Sequence, residues 1–285
     1  MNTEINDMTL KEKSYFFQKN RDYHIDDDNF ILVHIDGRSF SKMIKNRFEK
    51  PFDSDFVDMM NKTAIYLCEN VQGVQLAYTQ SDEISLLIKK IKAGSDIFFG
   101  GRLCKMQSII ASLATAKFNQ LMFQYKLNKF DYKNILEDSD GTLYTIRDAI
   151  DFIGKQQVCQ FDCKVWDVPS ANEAIAWFLY RNIDCIRNSK QQTAQTYLPH
   201  KTLLNKTTDE QIQILYDEKG IEWSKFGDDV KYGRIITKEK LECTREENGK
   251  IITFKRNKWT VKNGMDLTNP FNREMLTNYC EILKA

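Results

Sequence analysis

Two apolar runs of strand length end in carboxylates, and a helix-length segment separates them. The first is Ile31-Leu-Val-His-Ile-Asp36-Gly37-Arg38-Ser39-Phe40; the second is Leu76-Ala-Tyr-Thr-Gln-Ser81-Asp82-Glu83-Ile-Ser-Leu-Leu-Ile88. Short continuous apolar runs bounded by turn residues read as buried strands. Acids at the mouths of neighbouring buried strands are too costly to leave unpaired. A hard cation is the usual answer, and Mg²⁺ in particular is held by one or two carboxylates together with substrate phosphates. Two such ions make a clamp for in-line phosphoryl or nucleotidyl transfer.

The surrounding pattern extends this into a fold. Residues 8–22 read as a short helix and 30–36 as a strand. Residues 53–70 read as a helix capped by Asp53 or Ser54, with Phe56, Met59, Met60, Ala64, Leu67 and Cys68 at helical spacing. Val74–Tyr78 and Ile84–Ile88 read as a hairpin around Gln80-Ser81-Asp82. Gly100-Gly101 leads into a long helix over about 102–126, and 127–157 reads as polar and irregular, with a turn at 137–141. Phe161–Val168 is a strand stopped by Pro169, and Ser170 caps a helix over about 171–188. The β-α-β-β-α-β order matches a split βαβ, ferredoxin-like α+β arrangement. It brings the first strand beside the hairpin, so that Asp36 and Asp82 face each other at one edge of the sheet. Beyond 190 the pattern weakens to a helix at 207–216 and short strands between 231 and 254, with a turn at 246–249. Residues 1–190 are therefore expected to be the core, and 191–285 an extension packed on it.

Composition narrows the functional classes. Formal charges nearly cancel at +1 over 285 residues, so the total does not announce a nucleic-acid partner, although a local basic patch is compatible with it. Seven cysteines without CxxC or zinc-type spacing fit reduced thiols in a cytoplasmic protein, and three histidines make a His-rich metal site poor chemistry here. No apolar run approaches the roughly 20 residues of a membrane span. The first 21 residues resemble neither a signal nor a transit peptide.

Individual motifs have ordinary readings too. Asp36-Gly37 also suits a strand-to-turn cap, and acids in a hairpin turn are often only solvated. Lys50, before the rigid Pro51, is placed to reach a triphosphate or simply to sit in a surface loop. Arg102 and Lys105 share the first turn of the long helix, where an anion is favoured. Arg181, Arg187 and Asn188 offer polar contacts to RNA, or close a helix whose C-terminus favours cations. A non-enzymatic RNA-binding sheet would need exposed aromatics on its face; strands ending in acids argue against that.

Together, Asp36-Gly37-Arg38-Ser39-Phe40, Glu49-Lys50-Pro51-Phe52-Asp53 and Tyr78-Thr79-Gln80-Ser81-Asp82-Glu83-Ile84-Ser85 resemble the tRNA-His guanylyltransferase family and its tRNA-repairing relatives. The resemblance covers about residues 30–190. It implies a polymerase-type palm that adds nucleotides 3′-to-5′ to the 5′ end of a tRNA, after a nucleoside triphosphate activates the 5′-monophosphate. It implies catalytic roles for Asp36, Asp82 and Glu83, with two Mg²⁺ on Asp36, the Gly37 carbonyl and Asp82. The nucleotide, ATP or GTP for activation and any NTP for addition, would lie along Asp36, Gly37, Arg38, Ser39, Phe40 and Ser41, with Ser81 and Asp82. Lys50, Arg102 and Lys105 would take the triphosphate, and Asp53 would fix the Lys50 loop. A homotetramer and a tRNA partner, 5′-truncated or 5′-monophosphorylated, complete the implication. Two positions depart from the family: Ser41 stands where guanylyltransferases carry His, and Ile186-Arg187-Asn188-Ser189 replaces His-Ile-Asn-Asn. That erosion favours template-dependent repair over identity-specific guanylyl addition to tRNA-His. A nucleotide cyclase on the same core is the further alternative.

Overall fold

The computed structural model describes residues 8–19, 23–26, 28–43, 47–90, 94–129, 158–247 and 250–282. In chain order the longer elements are α1 (Leu10–Lys19), β1 (Phe30–Gly37), α2 (Ser54–Asn70), β2 (Val74–Gln80), β3 (Glu83–Ile88), α3 (Leu103–Lys129), β4 (Phe161–Val168), α4 (Ala171–Tyr197), α5 (Thr208–Lys219), β5 (Arg234–Glu247), β6 (Lys250–Asn263) and α6 (Pro270–Ile282). The strands form one antiparallel sheet in the order β4-β1-β3-β2-β5-β6.

Local chemistry accounts for the element ends. Asp53 caps α2 by accepting from the Phe56 amide at 3.0 Å. Ser170 caps α4 through the Glu173 amide, and Thr207 with Glu210 forms a reciprocal capping box on α5, which Gly220 ends in the left-handed conformation.

Helices cover both faces of the central strands, which is why β1 to β3 are continuously apolar and not alternating. On one face Ile31, Val33, Ile35, Ile84 and Leu86 pack against Met60, Ala64 and Leu67 of α2 and Met106, Ile110 and Phe118 of α3. On the other, Phe30, Leu32, Leu76, Tyr78 and Leu87 meet Ala174, Ile175 and Phe178 of α4 and Leu276 and Cys280 of α6. Side chains alternate along a strand, so His34 and Asp36 belong to the α4 face.

The C-terminal region departs from expectation. In place of short strands, β5 and β6 are 14 residues each, paired from Arg234–Asn263 to Glu247–Lys250. Their first residues join the main sheet: Arg234–Thr237 pair with Thr79–Leu76 of β2. Beyond Thr237, β5 is paired with β6 alone and most of its side chains are exposed. No apolar alternation marks this stretch, because backbone pairing rather than burial holds it. The long helices also run further than expected, α3 to Lys129 and α4 to Tyr197. The expected turn at 137–141 lies outside the described residues, as does half of the turn at 246–249. No helix among the described residues is long and apolar enough to cross a membrane.

Candidate active site

Antiparallel register places Asp36 of β1 directly opposite Glu83 of β3 on one side and Asp162 of β4 on the other. Directly paired residues share a face, with Cβ atoms about 5 Å apart. Three carboxylates therefore cross the end of the sheet in a row, and Asp82 adds a fourth from the β2–β3 turn. Burial, and then the facing Asp162, pushes Asp36 above the ordinary carboxylate range. Burial pushes Asp82 up to about 6, although the Ser81 hydroxyl donates to its Oδ1 at 3.0 Å. Burial likewise raises Glu83 to about 7, against the pull of Arg181 and of a 2.9 Å hydrogen bond from Gln80 Nε2.

Glu83 has a cation, whereas Asp36 and Asp82 have none in ion-pair contact among the described residues. Arg181 of α4 reaches Glu83 at 3.3 Å and Asp184 at 2.7 Å, with its guanidinium over the Tyr180 ring at 4.5 Å. Beneath it, the Trp177 indole donates to Ser85 Oγ at 3.1 Å and stands edge-on to His34 at 5.2 Å. His34 is pushed down to about 4, first by burial and then by Arg181. It thus supports the acids as a neutral ring.

The turn after β1 is built around a buried ring. Phe40 is 1% exposed and packs on Phe161, Phe118 and Phe56 at 4.9, 5.3 and 6.3 Å. A Cβ on Gly37 would stand 2.5 Å from the Phe40 ring, so glycine is required there by packing. Arg38 is exposed and donates through its amide and its guanidinium to Gln160, while Ser39 takes φ 57°. Asp36, Gly37, Arg38 and Ser39 thus reach the sheet end. Phe40, expected to line a nucleotide, gives its side chain to the core instead. The Ser41 side chain lies outside the described residues.

Beside the acids, Lys50, Asp53, Ser81 and Asn188 line one cavity of about 90 Å³. Asp53 accepts from the Glu49 amide at 2.8 Å as well as capping α2, which ties the Lys50 loop to the start of the helix.

Arg102 and Lys105 are not brought there. The neighbouring Leu103 amide bonds to Tyr23, ahead of β1, whereas Thr115 Oγ1, a dozen residues further along α3, accepts from Phe161, the β4 partner of Gly37. At 1.5 Å per residue, α3 separates these ends by about 20 Å. Shared helical spacing was correct for the pair; the end of the helix was not.

The expected RNA contacts divide. Arg181 is buried and bound to Glu83 and Asp184, so it supports the site and does not face solvent. Arg187 is exposed while paired to Asp184, and Asn188 donates to Asp184 at 3.2 Å. Sequence reasoning missed Asp162, Asp184 and Arg234. Asp162 had a signal: it occupies the same alternation face of β4 as Lys164 and Trp166.

Among the described residues no three His, Cys, Asp or Glu side chains converge as a ready-made metal cage. Two carboxylates with vacant electrostatic partners suit an ion that takes its remaining ligands from phosphate and water.

Comparison with known proteins places this geometry in context. Residues 13–169 match the family model described as tRNAHis guanylyltransferase. An uncharacterized protein of Acanthamoeba polyphaga mimivirus is 28% identical over 249 residues, covering 83% of this chain and 80% of that protein. The tRNA(His) guanylyltransferase of Debaryomyces hansenii is 24% identical over 250 residues, 84% of each chain. A bacterial tRNA(His) guanylyltransferase-like protein solved in complex with ATP superposes with a TM-score of 0.75 at 27% identity, covering 95% of this chain and 98% of the other.

Proposed function

Since the chain belongs to the tRNAHis guanylyltransferase family, nucleotidyltransferases that add nucleotides 3′-to-5′ to the 5′ end of tRNA, we propose that this member performs template-dependent 5′-end repair. The observation that carries the reading is the pair of positions Ile186 and Arg187 on α4. They lie within one helical turn of Asp184, where the guanylyltransferase signature has His-Ile. Full-length similarity to a bacterial guanylyltransferase-like protein supports the same branch.

The strand order β4-β1-β3-β2, with a helix after β1 and another after β3, supports a ferredoxin-like, polymerase-type palm. Its catalytic residues fall within 1–190, and 191–285 adds an edge to the sheet. In this reading Asp36, the Gly37 carbonyl and Asp82 hold Mg²⁺, which supplies charge neutralisation at the reacting phosphate. Ser81 orients Asp82 through its hydrogen bond. Arg181 keeps Glu83 engaged, so Glu83 borders the ligand set without completing it. Lys50 reaches the triphosphate from a loop that Asp53 holds rigid. An NTP activates the tRNA 5′-monophosphate with release of pyrophosphate; the 3′-hydroxyl of the next NTP then attacks that phosphorus and displaces the nucleoside monophosphate. The reading includes a homotetramer in the cytoplasm.

The test uses tRNAs of several identities lacking their first nucleotide, with every base at position 72, alongside full-length tRNA-His. Extension by the complement of position 72 is the expected outcome. Efficient addition of G to tRNA-His alone, with the truncated tRNAs ignored, overturns the repair reading.

A further inference from the structure

The cavity beside the acid row contains a charge that the residues around it leave unanswered. Arg234, the first residue of β5, is 3% exposed. Its Nε donates to Asn61 Oδ1 at 3.0 Å and its Nη1 to the Asp229 carbonyl at 3.2 Å, but its Nη2 is buried with no partner. Arg234 forms no ion pair among the described residues; burial works against its charge, and Cys185, Tyr78 and the Asp229 carboxylate favour it only from a distance. A buried guanidinium whose hydrogen bonds go only to neutral acceptors is costly to keep charged. An arginine cannot escape that cost by losing its proton at neutral pH.

The position is held firmly. Gly233 takes φ +77°, and a Cβ there would stand 2.5 Å from the Tyr78 hydroxyl oxygen. That hydroxyl donates to the Tyr232 carbonyl at 2.8 Å, which also accepts from Asn182 Nδ2 at 2.9 Å. The turn before Arg234 is thereby bolted to β2 and α4, and the side chain is delivered to the cavity wall.

We propose that this cavity is a phosphate-binding pocket, with Arg234 as its buried cation and Lys50 as the cation at its mouth. Ser81, Asn188, Ser189 and Gln192 supply the polar remainder of the wall. At about 90 Å³ the space is well above what one water needs, which suits one phosphoryl group. Glu49 and Asp53 also line the cavity, but Asp53 has both carboxylate oxygens occupied by the Phe56 and Glu49 amides, and Glu49 is exposed. The choice of phosphate over another anion rests on the nucleotidyl-transfer reading. The phosphate arrives on a nucleoside triphosphate, on released pyrophosphate, or on an RNA 5′ end.

Binding of pyrophosphate to the intact chain, measured by calorimetry in EDTA, tests the pocket without metal or turnover. The wild-type protein is expected to bind, R234Q and K50E at least tenfold more weakly, and K105A, at the far end of α3, within twofold of wild type. Absence of binding to the wild type, or wild-type affinity in R234Q, overturns the proposal. Should R234Q fail to fold, K50E at its exposed loop position decides, and unchanged affinity there is the overturning result. Competition by ATP assigns the pocket to the nucleotide, and competition by a 5′-phosphorylated RNA hexamer assigns it to the RNA end. Displacement by neither overturns it. Retained pyrophosphate binding with no tRNA extension would refute the repair reading while leaving the pocket standing.

Discussion

Replacing Asp82 by Asn should stabilise the metal-free protein at pH 8 and leave it unchanged near pH 4. Asp82 is pushed up to about 6 from an ordinary 3.8, chiefly by burial. A folded-state pKa raised in this way contributes stability that is fully present below pH 4 and lost as pH rises through 6, because only the unfolded chain then releases its proton cheaply. About two units at 1.36 kcal/mol each give a ceiling of about 3 kcal/mol. Asp82 retains partial contact with water, and screening reduces the figure to about 1–2 kcal/mol. Asn keeps the acceptor for the Ser81 hydroxyl, so packing and hydrogen bonding are preserved while the charge is removed. Urea denaturation in EDTA at pH 4 and pH 8 measures the difference directly, with equal m-values as the check that the unfolded states match. A gain of equal size at both pH values, or a loss at pH 8, would refute the argument that the carboxylate is held against its own preference. Saturating Mg²⁺ and ATP should reverse the order: at a hundredfold over Kd, ligand adds about 2.7 kcal/mol to the wild type and much less to the variant.

Asp36→Ala and Asp82→Ala should each abolish both 5′ activation and nucleotide addition, a loss of several kcal/mol in transition-state stabilisation, read as tRNA extension on gels; near-normal turnover in either removes the two-carboxylate assignment. Arg181→Met should destabilise the fold by about 3 kcal/mol by stranding Glu83, since Asp184 keeps Arg187, and adding Glu83→Gln should recover part of that loss in a double-mutant cycle. His34, lowered to about 4, contributes stability present above pH 6.5 and lost as pH falls toward 4. His34→Asn should therefore flatten the acid limb of the stability curve between those values, measured by urea denaturation across the range.

What could be read in advance was what is decided locally. β1, the β2–β3 hairpin and α2 with its Asp53 cap each combine an apolar run with a nearby stop or cap signal, and burial on both faces keeps those runs unbroken. The placing of β1 beside the hairpin followed from the strand order, but the facing pair did not: Asp82 was expected opposite Asp36, whereas the register sets Glu83 there and leaves Asp82 in the turn. Long-range partnerships were illegible. Arg234 meets Asn61 across 173 residues, and Arg181 meets Glu83 from another layer of the fold, so neither leaves a spacing pattern. Arg102 and Lys105 show the opposite limit: their common face was evident, but which end of the sheet they occupy depends on how α3 packs. The β5–β6 hairpin was hidden because its outer half satisfies its backbone without burying side chains.

The pairing of Arg234–Thr237 with β2 also has a consequence during synthesis. A ribosome delivering this chain presents the strands up to β4 well before residue 234 appears. Until then Leu76–Thr79 remains an open edge, apolar and unpaired, the kind of surface that templates aggregation. The nascent protein is most vulnerable in that interval, and a chaperone that shields β2 would matter more to yield than one that acts on the finished enzyme.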